Sequence, residues 1–214
     1  MNVSKLHYIT QGATPEKHLE NLEKVCANGG KWIQLRLKNE TQKNMLETAL
    51  EAKAICKRYG ATLLINDHVE VAKEVNADGV HLGKEDLCPA VARKILGANK
   101  IIGGTANTWR DIENLTIKKV DYIGLGPFRF TKTKEKLSPI LGLEGYKEIF
   151  EKYHSQSLQT PIIAIGGIKE EDLLSLSEIG LHGVAMSGWL TENEHLKERI
   201  AAIETAMNQE ITKE

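Results

Sequence analysis

The stretch that decides the fold runs from Leu63 to Asp86 and reads LLINDHVEVAKEVNADGVHLGKED. It contains two short apolar runs, and each run breaks into polar residues that include a carboxylate, Asp67 in the first and Asp86 in the second. The segment 69–77 between them is compatible with a helix. A compact strand–helix–strand unit requires parallel strands and a right-handed crossover. Both aspartates should therefore emerge at the same end of neighbouring strands.

Eight short apolar segments alternate with eight helix-compatible segments along the chain, without a linker or a compositional break. Besides the two strands above, we predict strands at Leu6–Thr10, Trp32–Lys38, Ile101–Gly104, Asp121–Leu125, Pro161–Ile165 and His182–Met186. Continuous apolar runs are typical of a parallel sheet covered by helices. The pattern predicts one domain over residues 1–214, an α/β single-domain TIM (β/α)8 barrel with a short charged C-terminal tail. No G-x-G-x-x-G follows the first strand, which argues against a dinucleotide-binding sheet.

The bulk composition excludes several classes of protein. The net charge of −1 lacks the basic excess of a general nucleic-acid binder. No apolar run approaches the roughly 20 residues of a membrane span, and the first residues lack the apolar core of a signal peptide. The isolated cysteines Cys26, Cys56 and Cys88 have no metal spacing, and the first two fall on predicted helix stripes. We therefore expect a cytoplasmic chain with no nucleic-acid or membrane partner, and the sequence leaves a homo-oligomer open.

The second predicted strand carries Gln34, Arg36 and Lys38 two residues apart, so that they share one face. An inward stack of an amide and two cations is costly unless an anion meets it. We interpret these three residues as an anion site. The alternative is a solvated edge strand.

Asp67 and Asp86 have two interpretations. Each could cap the helix that follows it, which is the better reading for either residue alone. Neighbouring strands lie about 4.8 Å apart, however, so the two carboxylates can share a cation. Beside the cations of the second strand, a Mg²⁺ ion held by one or two carboxylates and substrate phosphates is favoured. His81 is read as a packed barrel residue and not as a ligand.

Further polar residues follow other strand ends, where the active site of such a barrel lies. Small-residue turns at Gly166–Gly167 and Ser187–Gly188 follow the last two strands, in the usual barrel phosphate position. The loop 126–134 carries two hydroxyls and three cations, which is suited to gripping oxyanions, although a flexible surface loop is the alternative. Thr105 adds a hydroxyl just past the fifth strand. Together these residues favour chemistry that depends on positioning and charge stabilisation. A metal-bound diphosphate would depart from one substrate, and a second, phosphorylated substrate would capture the remaining fragment.

The chain also resembles a known family in a set of motifs. The motifs are Gln34–Lys38, Asn66–Asp67, His81–Asp86, Asp121–Pro127 with Thr131–Lys134, and Ile165–Ile168. In their order and spacing they resemble thiamine phosphate synthase. The resemblance implies that hydroxymethylpyrimidine diphosphate is joined to a thiazole phosphate, giving thiamine phosphate and pyrophosphate by a dissociative mechanism.

The resemblance also implies roles for individual residues. Mg²⁺ is the implied cofactor, with Asp67 and Asp86 as its ligands. The implied contacts of the pyrimidine diphosphate are Gln34, Arg36, Lys38, Asn66, Lys134 and Thr105, which stands where the family usually has serine. The implied contacts of the thiazole phosphate are Thr131, Thr133, Gly167, Ser187 and Gly188. Arg36, Lys38, Thr105 and Lys134 are the residues expected to act in catalysis.

Two rival functions share this fold. A thiazole tautomerase isomerises the thiazole precursor and needs neither diphosphate nor metal, and the hydroxyl and cation loop together with both aspartates argues against it. The second rival is a non-catalytic binder of a phosphorylated ligand.

Overall fold

A computed structural model gives the fold and describes residues 2–130, 139–192 and 194–208. Eight parallel strands close into a barrel in chain order, with the first strand paired to the last. The strands are β1 (Leu6–Ile9), β2 (Trp32–Leu35), β3 (Thr62–Asn66), β4 (Gly79–Leu82), β5 (Ile101–Ala106), β6 (Tyr122–Leu125), β7 (Ile162–Ile165) and β8 (Gly183–Met186). The predicted TIM barrel is confirmed. Its extent as one domain over residues 1–214 stays a prediction.

Helices connect the strands and cover the barrel. They are α1 (Pro15–Ala27), α2 (Gln42–Tyr59), α3 (Val69–Glu74), α4 (Pro89–Leu96), α5 (Trp109–Ile117), α6 (Gly142–Ser155), α7 (Leu173–Ile179), α8 (Gly188–Thr191) and α9 (Leu196–Met207). A short 3-10 helix, Glu170–Asp172, precedes α7.

Local signals in the sequence set several helix ends. The hydroxyls of Thr14 and Thr41 accept hydrogen bonds from the first turns of α1 and α2, which is the geometry of an N-cap. Thr108 and Asp111 form the reciprocal capping box that opens α5. Gly60 ends α2 in the left-handed conformation with a φ of 61°. Each of these residues is of a type that is favoured at the helix end it occupies.

The apolar residues form two separate cores. A small cluster that includes Trp32, Leu64 and Tyr122 packs side chains from most of the strands, and a larger cluster lies between strands and helices. The strand β5 leaves room for the Tyr122 ring because it carries glycine at the paired position: a Cβ at Gly103 would lie 2.2 Å from Cζ of Tyr122. The barrel interior is therefore filled by side chains, as in other barrels of eight strands.

Two strand ends differ from the prediction in ways that affect the site. β2 ends at Leu35, where its pairing with β3 stops, and not at Lys38. β5 continues to Ala106 and not to Gly104, because it pairs with β6 over its whole second half. Alternating polar residues predict a face but do not show where strand hydrogen bonding stops.

Two further features concern the cysteines and the helices. Cys26 and Cys56 are buried on α1 and α2, as their helix stripes predicted. Within the described parts of the chain, no helix combines the length and the apolar character that crossing a bilayer requires.

Candidate active site

Gln34 and Asn66 lie at the carboxyl end of the barrel and point into it. Gln34 lies in β2, Asn66 is the last residue of β3, and both side chains are buried. Nε2 of Gln34 donates a hydrogen bond of 2.6 Å to Oδ1 of Asn66. This bond fixes both amides at the mouth of the barrel.

Asp67 directly follows β3 and turns toward the next strand. Its φ of 65° lies in the left-handed region, which aspartate tolerates better than most residues. Its N–H donates to the carbonyl of His81 in β4 at 2.9 Å, so the turn is tied to the neighbouring strand. The carboxyl group of Asp86 lies close enough to that of Asp67 to raise its pKa. The structure thus brings together the two aspartates that the sequence places at adjacent strand ends.

The pKa of Asp67 depends on its burial and on the charged groups near it. Burial raises the pKa of Asp67 to about 7, and the neighbouring carboxyl group of Asp86 and its negative charge add to the rise. Lys38 and Arg36 act in the opposite direction and lower the pKa of Asp67. Since such effects fall off with distance, both cations lie near the acid pair.

The helix-capping interpretation of the aspartates is wrong. Helix α3 begins after His68 and α4 begins after Cys88, and neither N-terminus has a side-chain cap. Oδ2 of Asp86 accepts a hydrogen bond of 2.6 Å from the N–H of Gly83, within the loop after β4. The carboxylates are therefore free of a helix-capping role.

The pair of aspartates fits Mg²⁺. Carboxylate oxygens are hard ligands, and Mg²⁺ is commonly held by one or two carboxylates while keeping water and substrate phosphate in its other positions. Among the described residues no cluster of three or more His, Cys, Asp and Glu side chains could enclose a metal ion. The site thus offers a two-carboxylate platform open to a phosphorylated ligand.

The predicted second strand is too long, so Arg36 and Lys38 lie at the barrel rim and not within β2 with Gln34. Both residues follow the end of β2; Arg36 is half-buried and Lys38 is exposed. The intervening Leu37 is 6% exposed and belongs to the outer core. Cations buried in the barrel interior would lose their hydration, whereas at the rim they keep it until an anion binds. The two cations still lie at the same rim as Asp67.

Thr10 positions Arg36, a role that no pattern in the sequence indicates. The N–H of Arg36 donates to Oγ1 of Thr10 at 3.1 Å, and Oγ1 also lies 2.8 Å from Nδ1 of His18. Burial lowers the pKa of His18, and the positive charge of Arg36 lowers it further. The Thr10 hydroxyl therefore joins the His18 ring to the backbone of Arg36.

Thr105 lies inside β5 and not beyond it, which corrects the predicted placement. Its Oγ1 lies 3.0 Å from Nε2 of His81, and Nδ1 of His81 lies 2.8 Å from the hydroxyl of Tyr122. His81 is buried, and its two ring nitrogens are hydrogen-bonded to side chains of β5 and β6. It is therefore the packed barrel residue that was predicted, and it orients the Thr105 hydroxyl.

The turn after β7 depends on two glycines. Gly166 and Gly167 have φ values of 95° and 70°. A Cβ at Gly166 would lie 2.9 Å from Cα of Pro127, and one at Gly167 would lie 2.8 Å from Cβ of Arg129. The turn is therefore pressed against the start of the segment that joins β6 to α6.

Ser187 and Gly188 follow the adjacent strand end. β7 and β8 are paired, with Ile165 opposite Ala185, so the two small-residue turns are neighbours. Oγ of Ser187 donates to Oε1 of Gln11 at 3.1 Å. Gln11, in the loop after β1, is a further residue of this corner that the sequence pattern did not single out.

Three predicted site residues, Thr131, Thr133 and Lys134, lie outside the described residues. Their roles stay predictions. The flanking segments are described on both sides: the N–H of Leu141 donates to the carbonyl of Pro127 at 3.0 Å, and that of Gly142 to Phe128 at 3.1 Å.

Comparisons with known proteins identify the family of the chain. The family model described as thiamine monophosphate synthase matches residues 6–190. A thiamine-phosphate synthase of Flavobacterium johnsoniae is 51% identical over 194 residues, covering 91% of this chain and 92% of that protein. One of Phocaeicola vulgatus is 44% identical over 204 residues, covering 95% of this chain and 97% of that protein.

A solved structure supports the same assignment. The thiamine phosphate pyrophosphorylase of Pyrococcus furiosus superposes with a TM-score of 0.80 at 28% identity, covering 95% of each chain. The family match spans the barrel from its first strand to the helix after its last, and the sequence relatives cover nearly the whole chain. This chain belongs to the thiamine monophosphate synthase family.

Proposed function

We propose that this protein is a thiamine-phosphate synthase, a transferase that joins hydroxymethylpyrimidine diphosphate to a thiazole phosphate and releases pyrophosphate. One observation carries the proposal: the carboxyl pair of Asp67 and Asp86 lies within the field of Arg36 and Lys38 at one barrel rim. A carboxylate pair beside two cations is suited to a metal-bound diphosphate. The names of the curated relatives support the same activity.

The diphosphate half of the site lies over β2 to β5. Asp67 and Asp86 would hold Mg²⁺, which when bound supplies positive charge to the departing diphosphate. Arg36 and Lys38 would bind phosphate oxygens from the β2 side, with Lys134 assigned to the same substrate by the resemblance. Arg36 is held by its backbone bond to Thr10, so its side chain starts from a fixed point.

The ring of the pyrimidine would lie at the mouth of the barrel. Gln34 and Asn66 are fixed to each other there, and Thr105 is oriented by His81. Because these side chains are already hydrogen-bonded within the protein, little conformational entropy is lost when the ring binds. Their role is to orient the carbon that loses diphosphate toward the second substrate.

The thiazole phosphate half lies over β7 and β8. The Gly166–Gly167 turn and the adjacent Ser187–Gly188 turn would bind the monophosphate through backbone N–H groups and the Ser187 hydroxyl. Thr131 and Thr133 are assigned to the same phosphate by the resemblance. Two phosphate subsites on opposite arcs of one barrel rim hold the two substrates with their reactive ends toward the centre.

The proposed reaction is dissociative, with departure of diphosphate before attack by the thiazole nitrogen. Asp67, Asp86, Arg36 and Lys38 act on charge and position, which is what departure of an anionic group requires. A thiazole tautomerase would need neither the carboxyl pair nor the cations beside it, so these features of the described residues favour the synthase. Assays with the thiazole phosphate and with its carboxylated tautomer measure which of the two is accepted.

The proposed setting is the cytoplasm, where three free cysteines stay reduced. The proposed partners are the two small-molecule substrates alone. Homo-oligomers are compatible with this function.

Incubation with both substrates tests the proposed activity. The purified protein with hydroxymethylpyrimidine diphosphate, thiazole phosphate and Mg²⁺ should form thiamine phosphate and pyrophosphate in equal amounts, measured by chromatography. Omission of either substrate is the control. If both substrates bind and stay intact in the presence of Mg²⁺, the synthase assignment is wrong.

A further inference from the structure

Arg129 holds the Gly166–Gly167 turn from the side of the β6–α6 segment. Its backbone N–H donates to the carbonyl of Gly166 at 2.8 Å, and its Nη1 donates to the carbonyl of Gly167 at 3.1 Å. One residue therefore binds both carbonyls of the turn to which the monophosphate is assigned.

Those two bonds decide which way the turn's N–H groups face. In a trans peptide unit the carbonyl and the following N–H point in opposite directions, and Gly166 and Gly167 are both followed by trans bonds. With their carbonyls directed at Arg129, the N–H groups of Gly167 and Ile168 face away from it. Neither N–H donates to the backbone of another described residue. Two adjacent N–H groups thus face the same side and are available to an anion.

Asp172 fixes the guanidinium in turn. Its two carboxylate oxygens receive Nη1 and Nη2 of Arg129, the second at 2.6 Å. The carboxylate is 7% exposed and also accepts the N–H of Lys169 at 2.9 Å. Although burial acts in the opposite direction, the bonds from Arg129 and the backbone lower the pKa of Asp172. A bidentate pair of this kind fixes the plane of the guanidinium as well as its position.

We propose that Arg129, held by Asp172, is a positioning residue that directs the N–H groups of the glycine turn at the phosphate of the thiazole substrate. The inference rests on the proposed function, because that function places the phosphate at this turn. The competing role is purely structural: the ion pair would anchor the β6–α6 segment without affecting any substrate. The two roles predict different results when the pair of Arg129 and Asp172 is broken. Only the positioning role predicts weaker binding of thiazole phosphate with unchanged binding of the pyrimidine diphosphate.

The test compares Arg129→Leu with Arg129→Lys and Arg93→Leu. Arg93 is the matched control, since its Nη2 donates to Oδ2 of Asp121 at 2.6 Å in a comparable pair, and Asp121 precedes β6 at the opposite end of the barrel. The KM for each substrate and the affinity for thiazole phosphate alone, by calorimetry, are measured on variants whose circular dichroism matches the wild type.

We expect Arg129→Leu to raise the KM and the dissociation constant for thiazole phosphate roughly tenfold or more, because the N–H groups lose their fixed direction. The KM for the pyrimidine diphosphate should stay near the wild-type value. Arg129→Lys keeps the positive charge but cannot make the two parallel hydrogen bonds to Asp172. It should also weaken thiazole phosphate binding selectively, by a smaller factor. Arg93→Leu should change neither constant.

Each other outcome overturns the inference. A folded Arg129→Leu protein with unchanged thiazole phosphate affinity, or with equal losses for both substrates, means that the pair is structural only. If Arg129→Leu does not fold, the same criteria apply to Arg129→Lys. Calorimetry with thiazole phosphate alone separates the two proposals. Arg129-dependent binding without synthase activity would refute the proposed function and support the positioning role. A wild-type protein that binds no thiazole phosphate would refute the positioning role.

Discussion

Asp67 combines two features that are uncommon for a side chain at a strand end. Its backbone is left-handed and its carboxyl is half-buried beside a second carboxyl. The left-handed backbone is unfavourable for most residues, and burial beside a second carboxyl disfavours the ionised form; both are tolerated here because the turn is bonded to β4 and because two cations lie near. Unusual backbone and unusual ionisation at one residue are typical of functional sites.

Replacing either aspartate tests the metal assignment. Asp67→Asn and Asp86→Asn should each lower kcat on the order of 100-fold or more, because the diphosphate loses its metal. The dissociation constant for thiazole phosphate should stay close to that of the wild type, since this substrate is assigned to the opposite arc. Steady-state kinetics and calorimetry measure the two effects. Near-normal rates in both variants would show that the cation lies elsewhere.

The raised pKa of Asp67 predicts a pH dependence of metal binding. The metal needs the ionised carboxylate, and protonation competes with it below a pKa of about 7. Mg²⁺ affinity should therefore rise as the pH rises, by about tenfold between pH 6 and pH 8 for one such group. Calorimetric titration with MgCl2 at the two pH values measures it. Asp67→Asn should lose most of the dependence, and a wild type with equal affinities at both values would contradict the assignment.

At the scale of elements, strand ends position the chemistry. β2 stops at Leu35, so that Arg36 and Lys38 lie on the rim, while β5 runs on to Ala106 and carries Thr105 within reach of His81. A difference of two or three residues in a strand end thus decides whether a side chain faces the interior or the solvent. The residue types in these strands are visible in the sequence, but the extent of pairing depends on the neighbouring strand.

Gly103 in β5 makes the Tyr122 position possible, and its replacement tests this packing. Gly103→Ala places a methyl group on a buried ring and should cost about 1–3 kcal/mol of unfolding free energy. Gly104→Ala should cost less, because its Cβ would meet the flexible end of Leu115. Urea unfolding measures both. The cost of Gly103→Ala should shrink in a Tyr122→Leu background, and an unchanged cost there would rule out the proposed clash.

For the whole molecule, the sequence predicts the topology better than the connections within the site. Eight alternating segments, the N-cap threonines and the Thr108–Asp111 capping box are local signals, and the fold agrees with them. The pairing of Arg129 with Asp172 spans 43 residues and has no local signal. Contacts of this kind depend on which loops the closed barrel brings side by side, so residue spacing cannot reveal them.

Ligand-dependent unfolding tests the site at the level of the whole chain. Inorganic pyrophosphate and Mg²⁺ together should raise Tm by more than the sum of their separate effects, because each completes the binding site of the other. Saturation at 100 times Kd stabilises the folded state by about 2.7 kcal/mol, which corresponds to roughly 5–10 °C for a chain of this size. NaCl at equal ionic strength is the control. Purely additive shifts would mean that metal and pyrophosphate bind independently.

The layer of Trp32, Leu64 and Tyr122 inside the barrel has a consequence for how such an enzyme can change during evolution. It forms a solid floor beneath Gln34, Asn66 and Thr105, so a longer substrate can extend only outward, over the rim. Substitutions in the floor are then selected for stability and substitutions in the rim loops for activity. Substrate specificity can therefore change through the rim loops while the interior layer is retained, because the two kinds of selection act on separate residues.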